Sequence, residues 1–255
     1  MKYLLKFEFR KLKKQKSFYI GIIVMAALIL ISGASYMILL EHADAIEEIA
    51  GGTAIPKSSA AFLLLFVSAS MFPMLSSVFT SIAVCDDYES RIVKNIFARG
   101  YSRTSHYFAK LIYVFTVSTV MFLFALAISA AAGIAFFGFE KLSGKLFVLL
   151  FGQYVVCMSG VAMSFAVAAA IKKLGGAIAV NIIVPIVIPL LLQLVDSVLE
   201  LKNFRIESVW TDSFLTSLTD TEVSTGRVIA CVLGAIAYTV AFIAAGYAAS
   251  RKTEV

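Results

Sequence analysis

Charged residues are scarce in this chain of 255 residues, of which 22 are lysine or arginine and 16 are aspartate or glutamate. Soluble domains carry about 25% charged residues and about 45–50% apolar ones. Here only 15% of the residues are charged and 60% are hydrophobic. So few charges cannot cover the surface of a water-soluble fold. The composition therefore excludes a soluble enzyme and a disordered chain.

Cysteine and histidine are also rare. The three cysteines form no C-x-x-C pair, so the sequence offers neither a disulfide framework nor a metal-ligand spacing. The two histidines, His42 and His106, lie in separate loops, and no H-E-x-x-H motif is present. Asp196 stands alone at the end of a hydrophobic run, whereas an intramembrane enzyme or an ion-driven carrier needs ionisable groups within its spans. The chain is therefore predicted not to be an enzyme and to bind no cofactor or metal itself.

Long hydrophobic runs dominate the remainder of the sequence. Six segments contain no Asp, Glu, Lys or Arg, and each is 19 to 27 residues long. A membrane-spanning helix needs roughly 17–25 apolar residues. The sequence therefore predicts an all-α membrane protein with six transmembrane helices. The predicted spans are residues 19–40, 60–84, 111–137, 146–170, 177–195 and 228–249.

The basic residues are divided unevenly between the two sides of the membrane that six spans create. The side that holds both termini carries 16 lysines and arginines, and the opposite side carries 6. Basic loops stay in the cytoplasm, so both termini are predicted to be cytoplasmic. The net charge of +6 then reflects topology and contact with anionic lipid headgroups, and no nucleic-acid partner is predicted.

Residues 1–18 have the pattern of an amphipathic helix. Its apolar face contains Leu5, Phe9 and Leu12, and its basic face contains Lys2, Lys6, Arg10 and Lys13. A basic amphipathic helix lies in the plane of the membrane interface, with lysines toward headgroups and apolar side chains toward acyl chains. We therefore predict an interfacial helix. The alternative is a basic tail that only sets topology.

Several polar or small residues within the spans mark specific positions. Gln153 and Asn181 are predicted to face the bundle interior or a transport pathway, because polar side chains avoid lipid. Gly160, Ser164 and Ala168 recur every four residues and predict a seam along which helices approach closely.

The last outer loop, residues 196–227, is 32 residues long and mixes apolar with acidic side chains. It is too short and too charged to cross the membrane twice. We predict short helices that dip into the outer leaflet, with Trp210 as an interfacial anchor.

The segment 86–100, between the second and third predicted spans, has the clearest functional pattern. Acidic residues come first, and Tyr88, Ile92 and Ile96 then recur at i, i+4 and i+8. A helix with this apolar stripe needs a partner, either lipid headgroups or a groove on a soluble protein. Ser102 is placed to cap the next helix.

The same region resembles a known family. The resemblance rests on the runs Asp87-Tyr88-Glu89, Ile92-Val93-Lys94-Asn95-Ile96, Arg99-Gly100-Tyr101-Ser102-Arg103 and Lys110-Leu111. These runs resemble the ABC-2 type permeases, the six-span membrane subunits of bacterial ATP-binding-cassette exporters. The resemblance implies one transmembrane domain over 1–255, an interface helix over 1–18, a coupling helix over 86–100 and outer re-entrant helices within 196–227.

The resemblance also implies partners and roles. The coupling helix would dock on a cytoplasmic ABC ATPase that binds ATP and Mg²⁺, and a second permease copy or a paralogue would complete a complex of two permeases and two ATPases. The residues expected to carry the docking are Tyr88, Glu89, Ile92, Ile96, Phe97, Arg99 and Arg103. The expected location is the bacterial plasma membrane, and the expected cargo is peptides or bacteriocin-like toxins. The alternative function is a non-transporting sensor or immunity subunit that binds peptides.

Overall fold

The computed structural model describes residues 2–12, 15–41, 58–69, 71–139, 143–199 and 206–252. Within these residues the regular structure is helical, without strands. The helices are α1 (Lys2–Leu12), α2 (Lys16–Glu41), α3 (Ser59–Ala69), α4 (Phe72–Glu89), α5 (Ile92–Ala98), α6 (Arg103–Phe137), α7 (Gly144–Ile171), α8 (Leu174–Leu199), a 3₁₀ turn (Ile206–Val209), α9 (Thr211–Ser217) and α10 (Thr225–Lys252).

In the described part of the chain, five helices are long and apolar enough to cross a membrane. They comprise Lys16–Ile38, Arg103–Phe137, Gly144–Ile171, Leu174–Val198 and Thr225–Arg251. These helices correspond to five of the six predicted spans, so the prediction of an all-α integral membrane protein is confirmed. The second predicted span, residues 60–84, differs from the others.

This second span is divided into α3 and α4. Met71 has a left-handed backbone with φ of 53°, and Pro73 lies in the first turn of α4. A non-glycine residue with positive φ interrupts the helical hydrogen-bond ladder, and proline is tolerated in a first turn because its missing N–H is not needed there. Proline alone does not impose the break, since α8 continues through Pro185 and Pro189.

The helix α7 lies at the centre of the bundle. Its most apolar stretch is 67% buried, against 6% for the corresponding stretch of α8. It packs on α4, α6, α8, α9 and, most extensively, α10. The exposed apolar faces of α8 and α2 are therefore left for lipid or for another subunit.

A close approach between α7 and α10 depends on Gly246. A Cβ atom built there would lie 2.9 Å from the Cα atom of Ala166 and 2.8 Å from the hydroxyl oxygen of Tyr107. The Tyr107 hydroxyl itself donates a hydrogen bond of 2.8 Å to the carbonyl of Ile243. A side chain at position 246 would thus press on backbone as well as on a bonded hydroxyl.

We expect Gly246→Ala to lower the free energy of unfolding by about 1–3 kcal/mol, the usual range for overpacking. Gly226→Ala is the matched control on the same helix, since no described atom lies within 4 Å of a Cβ there. It should leave stability unchanged or slightly raised. Thermal unfolding can be followed with a thiol-reactive dye, because Cys85, Cys157 and Cys231 are buried free thiols. Equal midpoints for the two variants would contradict the expected clash.

Candidate functional site

The segment predicted as one coupling helix, residues 86–100, is divided in the structure. Its first four residues form the last turn of α4, a tight turn follows at Arg91 with φ of 58°, and α5 then covers Ile92–Ala98. A second turn leads to α6, whose N-cap is Ser102 with its hydroxyl accepting from the Ser105 N–H at 3.1 Å. The predicted cap at Ser102 is confirmed. The bend at Arg91 turns α5 away from the axis of α4.

Part of the apolar stripe of this segment lies in a small cluster that includes the chain's own N-terminal helix. Ile96 is buried in a cluster with Leu4 of α1 and Ala109 of α6. Ile92 and Phe97 are half-buried against the same cluster. We name this group the Leu4 cluster. Ile92 and Ile96 of the stripe therefore pack within the chain, with α1 and α6, whereas lipid headgroups or a soluble protein were the predicted partners.

The helix α1 presents a different face from the one predicted. Leu4 and Glu8 are its buried residues, while Leu5 and Leu12 are half-buried and Phe9 is 37% exposed. The buried face is thus displaced by one residue from the predicted stripe, because an ion pair holds Glu8 inward. On the predicted basic face, Lys6 and Arg10 are exposed. Lys13 and the side chain of Lys2 lie outside the described residues.

A network of ion pairs joins α1, α4 and α6 beside the Leu4 cluster. The ammonium group of Lys110 on α6 donates to Glu8 at 2.8 Å and also to Asp87. Lys11 on α1 donates to Asp87 at 2.5 Å and to Asp86 at 2.7 Å. The side chains of Lys110, Asp87 and Glu8 are 2%, 0% and 4% exposed. We call these five residues the charge network.

Burial and pairing act against each other in this network. Burial raises the pKa of Glu8 above its ordinary value, and the nearby Lys110 only partly offsets that effect. Burial also opposes ionisation of Asp87, but the two ammonium groups of Lys110 and Lys11 outweigh it and lower the pKa of Asp87. Asp87 is therefore the firmly charged centre of the network, and Glu8 is the acid that depends most on its partner.

The same place has the geometry of a metal site. Glu8, Asp87 and His106 offer ligand atoms within 4.8 Å of one another. The Lys110 ammonium, however, binds both carboxylates. A divalent cation would have to displace that ammonium. The donor set therefore suits a lysine side chain better than a metal ion, and the arrangement is an internal ion-pair centre.

The comparison with known proteins now decides the family. The sequence model of a family described as "ABC-2 family transporter protein" matches residues 4–196. The chain belongs to the ABC-2 transporter family. The match begins in α1 and continues into α8, so it includes the charge network and α5. Members of this family are membrane transport components and not catalysts themselves. No curated protein sequence matches the chain.

The structure of this ABC-2 family member places the predicted docking residues in two environments. Glu89 is exposed and its carboxylate accepts from the N–H of Leu174, the first residue of α8, at 2.7 Å. Arg103 is exposed and lies over the ring of Phe97 at 5.9 Å. Arg99 is exposed, as are Arg91, Lys94 and Asn95 of the same segment.

The other docking residues face inward. Tyr88 is half-buried beneath the ammonium of Lys172, 5.1 Å from the ring centroid. Ile96 is buried, and Ile92 and Phe97 are half-buried in the Leu4 cluster. We call the exposed side of the segment, formed by Arg91, Lys94, Asn95 and Arg99, the α5 surface. It is basic and polar, in contrast to the apolar stripe that the sequence singled out.

The two predicted pathway residues are also separated by the structure. Gln153 is buried and donates to the carbonyls of Leu64 on α3 and Leu218 after α9, at 3.1 and 3.2 Å. Gln153 therefore links α7 to α3 and to the residue that follows α9. Asn181 borders a cavity of about 300 Å³ between α4, α7, α8 and α9. Within the described residues, only Asn181 of this pair lines that cavity.

The predicted helices of the last outer loop also have counterparts. Residues 206–209 form a 3₁₀ turn, α9 follows, and the ring of Trp210 packs edge-on against Tyr238 at 5.9 Å. Residues 200–205 lie outside the described residues. The depth of these helices in the membrane stays a prediction.

Proposed function

We propose that the chain is the permease subunit of an ATP-driven exporter, and that a cytoplasmic ABC ATPase docks on the α5 surface. Family membership supports a permease and, with it, an ABC ATPase partner. In this proposal the ATPase binds ATP and Mg²⁺, the chain holds no nucleotide, and the chain pairs with a second copy or a paralogue. The location is the bacterial plasma membrane with both termini in the cytoplasm, which the basic bias of 16 against 6 supports.

One observation carries the proposal: α5 is exposed on one side and held firmly on the other. The Leu4 cluster and the charge network join it, through its two flanking turns, to α1, α4 and α6. Because buried ion pairs and packed side chains deform little, a force applied to α5 reaches α4 and α6 as a displacement. A free surface loop would absorb the same force.

The docking residues then take two roles. Arg99, Arg103 and Glu89 contact the ATPase directly, and the basic α5 surface favours an acidic patch on the partner. Tyr88, Ile92, Ile96 and Phe97 support α5 from behind. Peptides or bacteriocin-like toxins are the cargo that we propose, since acidic residues prevail in the outer loops.

Co-purification with a co-expressed ABC ATPase tests the docking. We expect a tagged chain to retain this ATPase in detergent and to stimulate its hydrolysis of Mg-ATP. Lys94→Glu on the α5 surface should weaken retention by about tenfold or more, because close charge pairs across an interface are worth at least about 1.5 kcal/mol.

The matched control is Lys145→Glu, the same charge change at an exposed lysine. Lys145 lies in the first turn of α7, whereas Glu89, just before α5, bonds to Leu174, which follows the other end of α7 after Ile171. The two ends are about 40 Å apart at 1.5 Å per residue. Retention lost equally in both variants, or an ATPase that never co-purifies, would contradict the proposal. The second result would favour the non-transporting subunit.

A further inference from the structure

The cavity beside Asn181 has a mostly apolar and adaptable lining. Its walls include Met71, Met74 and Met163, together with Trp210 and Pro185. Its volume of about 300 Å³ lies at the lower end of the range for small-molecule sites. Methionine side chains adjust to ligands of varied shape. The cavity lies at the break between α3 and α4, where Met71 leaves the helical conformation.

Asn181 borders this cavity with a side chain that is almost fully buried. Its amide nitrogen donates to the hydroxyl of Ser81 at 2.9 Å and to the carbonyl of Ser164 at 3.2 Å. Because a backbone carbonyl can only accept, the nitrogen must be the atom that faces Ser164. The oxygen Oδ1 is consequently fixed on the other side, where it is buried without a partner among the described residues. A buried acceptor in this state carries a desolvation cost, and a donating ligand reaches it only when the side chain or the cavity wall shifts.

Asp212 adds a negative charge to the same cavity. It lies in the first turn of α9 and lines the cavity through that helix. Burial, reinforced by the neighbouring carboxylate of Glu207, raises the pKa of Asp212 above its ordinary value. Among the described residues no lysine or arginine forms an ion pair with it. Asp212 is otherwise exposed, so a positively charged ligand in the cavity would pair with a carboxylate at the cavity's open side.

Gly160 leaves space in the cavity wall. The small-residue seam predicted on α7 implied a close helix contact there, but no described atom lies within 4 Å of a Cβ built on Gly160. The residue lines the cavity instead. A side chain at this position starts in open space beside the cavity, and leucine also has a higher helix propensity than glycine.

We propose that this cavity, within a single subunit, binds a small amphipathic organic cation. The apolar body of the ligand packs on the methionines and Trp210, and its ammonium group faces the carboxylate of Asp212, which supplies the opposite charge. Aromatic and methionine walls with a few convergent polar groups are typical of ligand sites, and the face of Trp210 also attracts cations. The proposal concerns binding alone and does not depend on an ATPase.

Trp210 provides the measurement, because it is the only tryptophan in the chain. The purified chain in detergent would be titrated with three compounds that share one compact apolar cage: amantadine, adamantanol and adamantanecarboxylate. We expect amantadine to change the Trp210 emission saturably. Adamantanol should bind about tenfold more weakly because it lacks the charge, and adamantanecarboxylate more weakly still. Equal responses to all three would indicate apolar partitioning and overturn the proposal.

Two pairs of variants locate the site. Gly160→Leu fills the cavity and should abolish the amantadine response, whereas Gly144→Leu, on the same helix and with open space around it, should not. Asp212→Asn should weaken binding about tenfold, whereas Asp220→Asn, the same change at an exposed aspartate of this loop that does not line the cavity, should leave it intact.

Undiminished binding in Gly160→Leu would place the amantadine elsewhere and overturn the assignment. If that variant were to unfold, the comparison of Asp212→Asn with Asp220→Asn would decide in the same way. The assay contains no ATPase, so its outcome is separate from that of the co-purification.

Discussion

Replacing Lys110 by methionine is expected to lower the free energy of unfolding by about 3–5 kcal/mol. Removing one partner of a buried ion pair leaves an uncompensated buried charge, and losses of that size are typical. Here the substitution removes the only ion-pair partner of Glu8 among the described residues, whereas Asp87 keeps Lys11. Methionine is nearly as long as lysine, so the packing around position 110 changes little. Thermal unfolding with the thiol-reactive dye gives the measurement.

A second substitution identifies the cause. Adding Glu8→Gln to Lys110→Met removes the stranded carboxylate, so the double variant should recover most of the lost stability. Lys94→Met is the matched control at an exposed lysine, and it should change stability by no more than about 0.5 kcal/mol. If Lys110→Met were as mild as Lys94→Met, the charge network would contribute nothing to stability. A double variant no better than Lys110→Met would assign the loss to packing and not to charge.

Hydrophobic run length predicts most of this fold but not its one interrupted span. Five charge-free runs became continuous helices because each can satisfy all its backbone hydrogen bonds internally, which lipid demands. The run 60–84 is equally free of charge, yet its helix is interrupted at Met71, two residues before Pro73. Proline is an ambiguous signal, since α8 accommodates Pro185 and Pro189 without ending. Whether a proline interrupts a span depends on how the helix packs against its neighbours, and the sequence around the proline does not show that packing.

The periodicity of Tyr88, Ile92 and Ile96 predicted an apolar stripe, but it could not say that Ile92 and Ile96 pack in a cluster with α1 and α6. The buried acid on α1 was missed because hydropathy patterns treat an acidic residue as exposed. One signal was available: Glu8 is the only acidic residue in the first 40. An isolated acid among lysines indicates an ion pair within the protein, and the predicted topology places Lys110 on the same side of the membrane as Glu8.

The Leu4 cluster joins α1, α5 and α6 by apolar contact, whereas the charge network joins α1, α4 and α6 by ion pairs. Pairing in the network needs charge and tolerates little solvent, whereas the Leu4 cluster needs apolar contact between α1 and α5. The two can therefore be disrupted separately. Loss of the network should mainly lower global stability, because its charges are stranded inside the bundle. Loss of the cluster should mainly release α5, because this cluster lies at the end of the bundle.

Leu4→Asp is accordingly expected to detach α1 from α5 while the spanning helices stay folded. Deleting a buried leucine side chain costs about 2–5 kcal/mol, and a charge at this position adds to that cost. A loss of 2 kcal/mol raises the population of the released state by about 30-fold. Trypsin measures this population, because Arg91, Lys94 and Arg99 of the α5 surface become cleavable when the segment opens. The cleavage rate in this segment should rise by a similar factor.

Tyr3→Asp is the control, since it introduces the same charge at the adjacent position of α1, where the side chain is 78% exposed. Its cleavage rate should match that of the unaltered chain. Ile96→Asp, on the other side of the contact, should behave like Leu4→Asp. Because Leu4 lies behind α5 and not on the α5 surface, ATPase stimulation lost in Leu4→Asp but kept in Tyr3→Asp would mean that α1 braces α5 for coupling. Equal proteolysis of the two α1 variants would show that α5 is held without α1, and the bracing role would be contradicted.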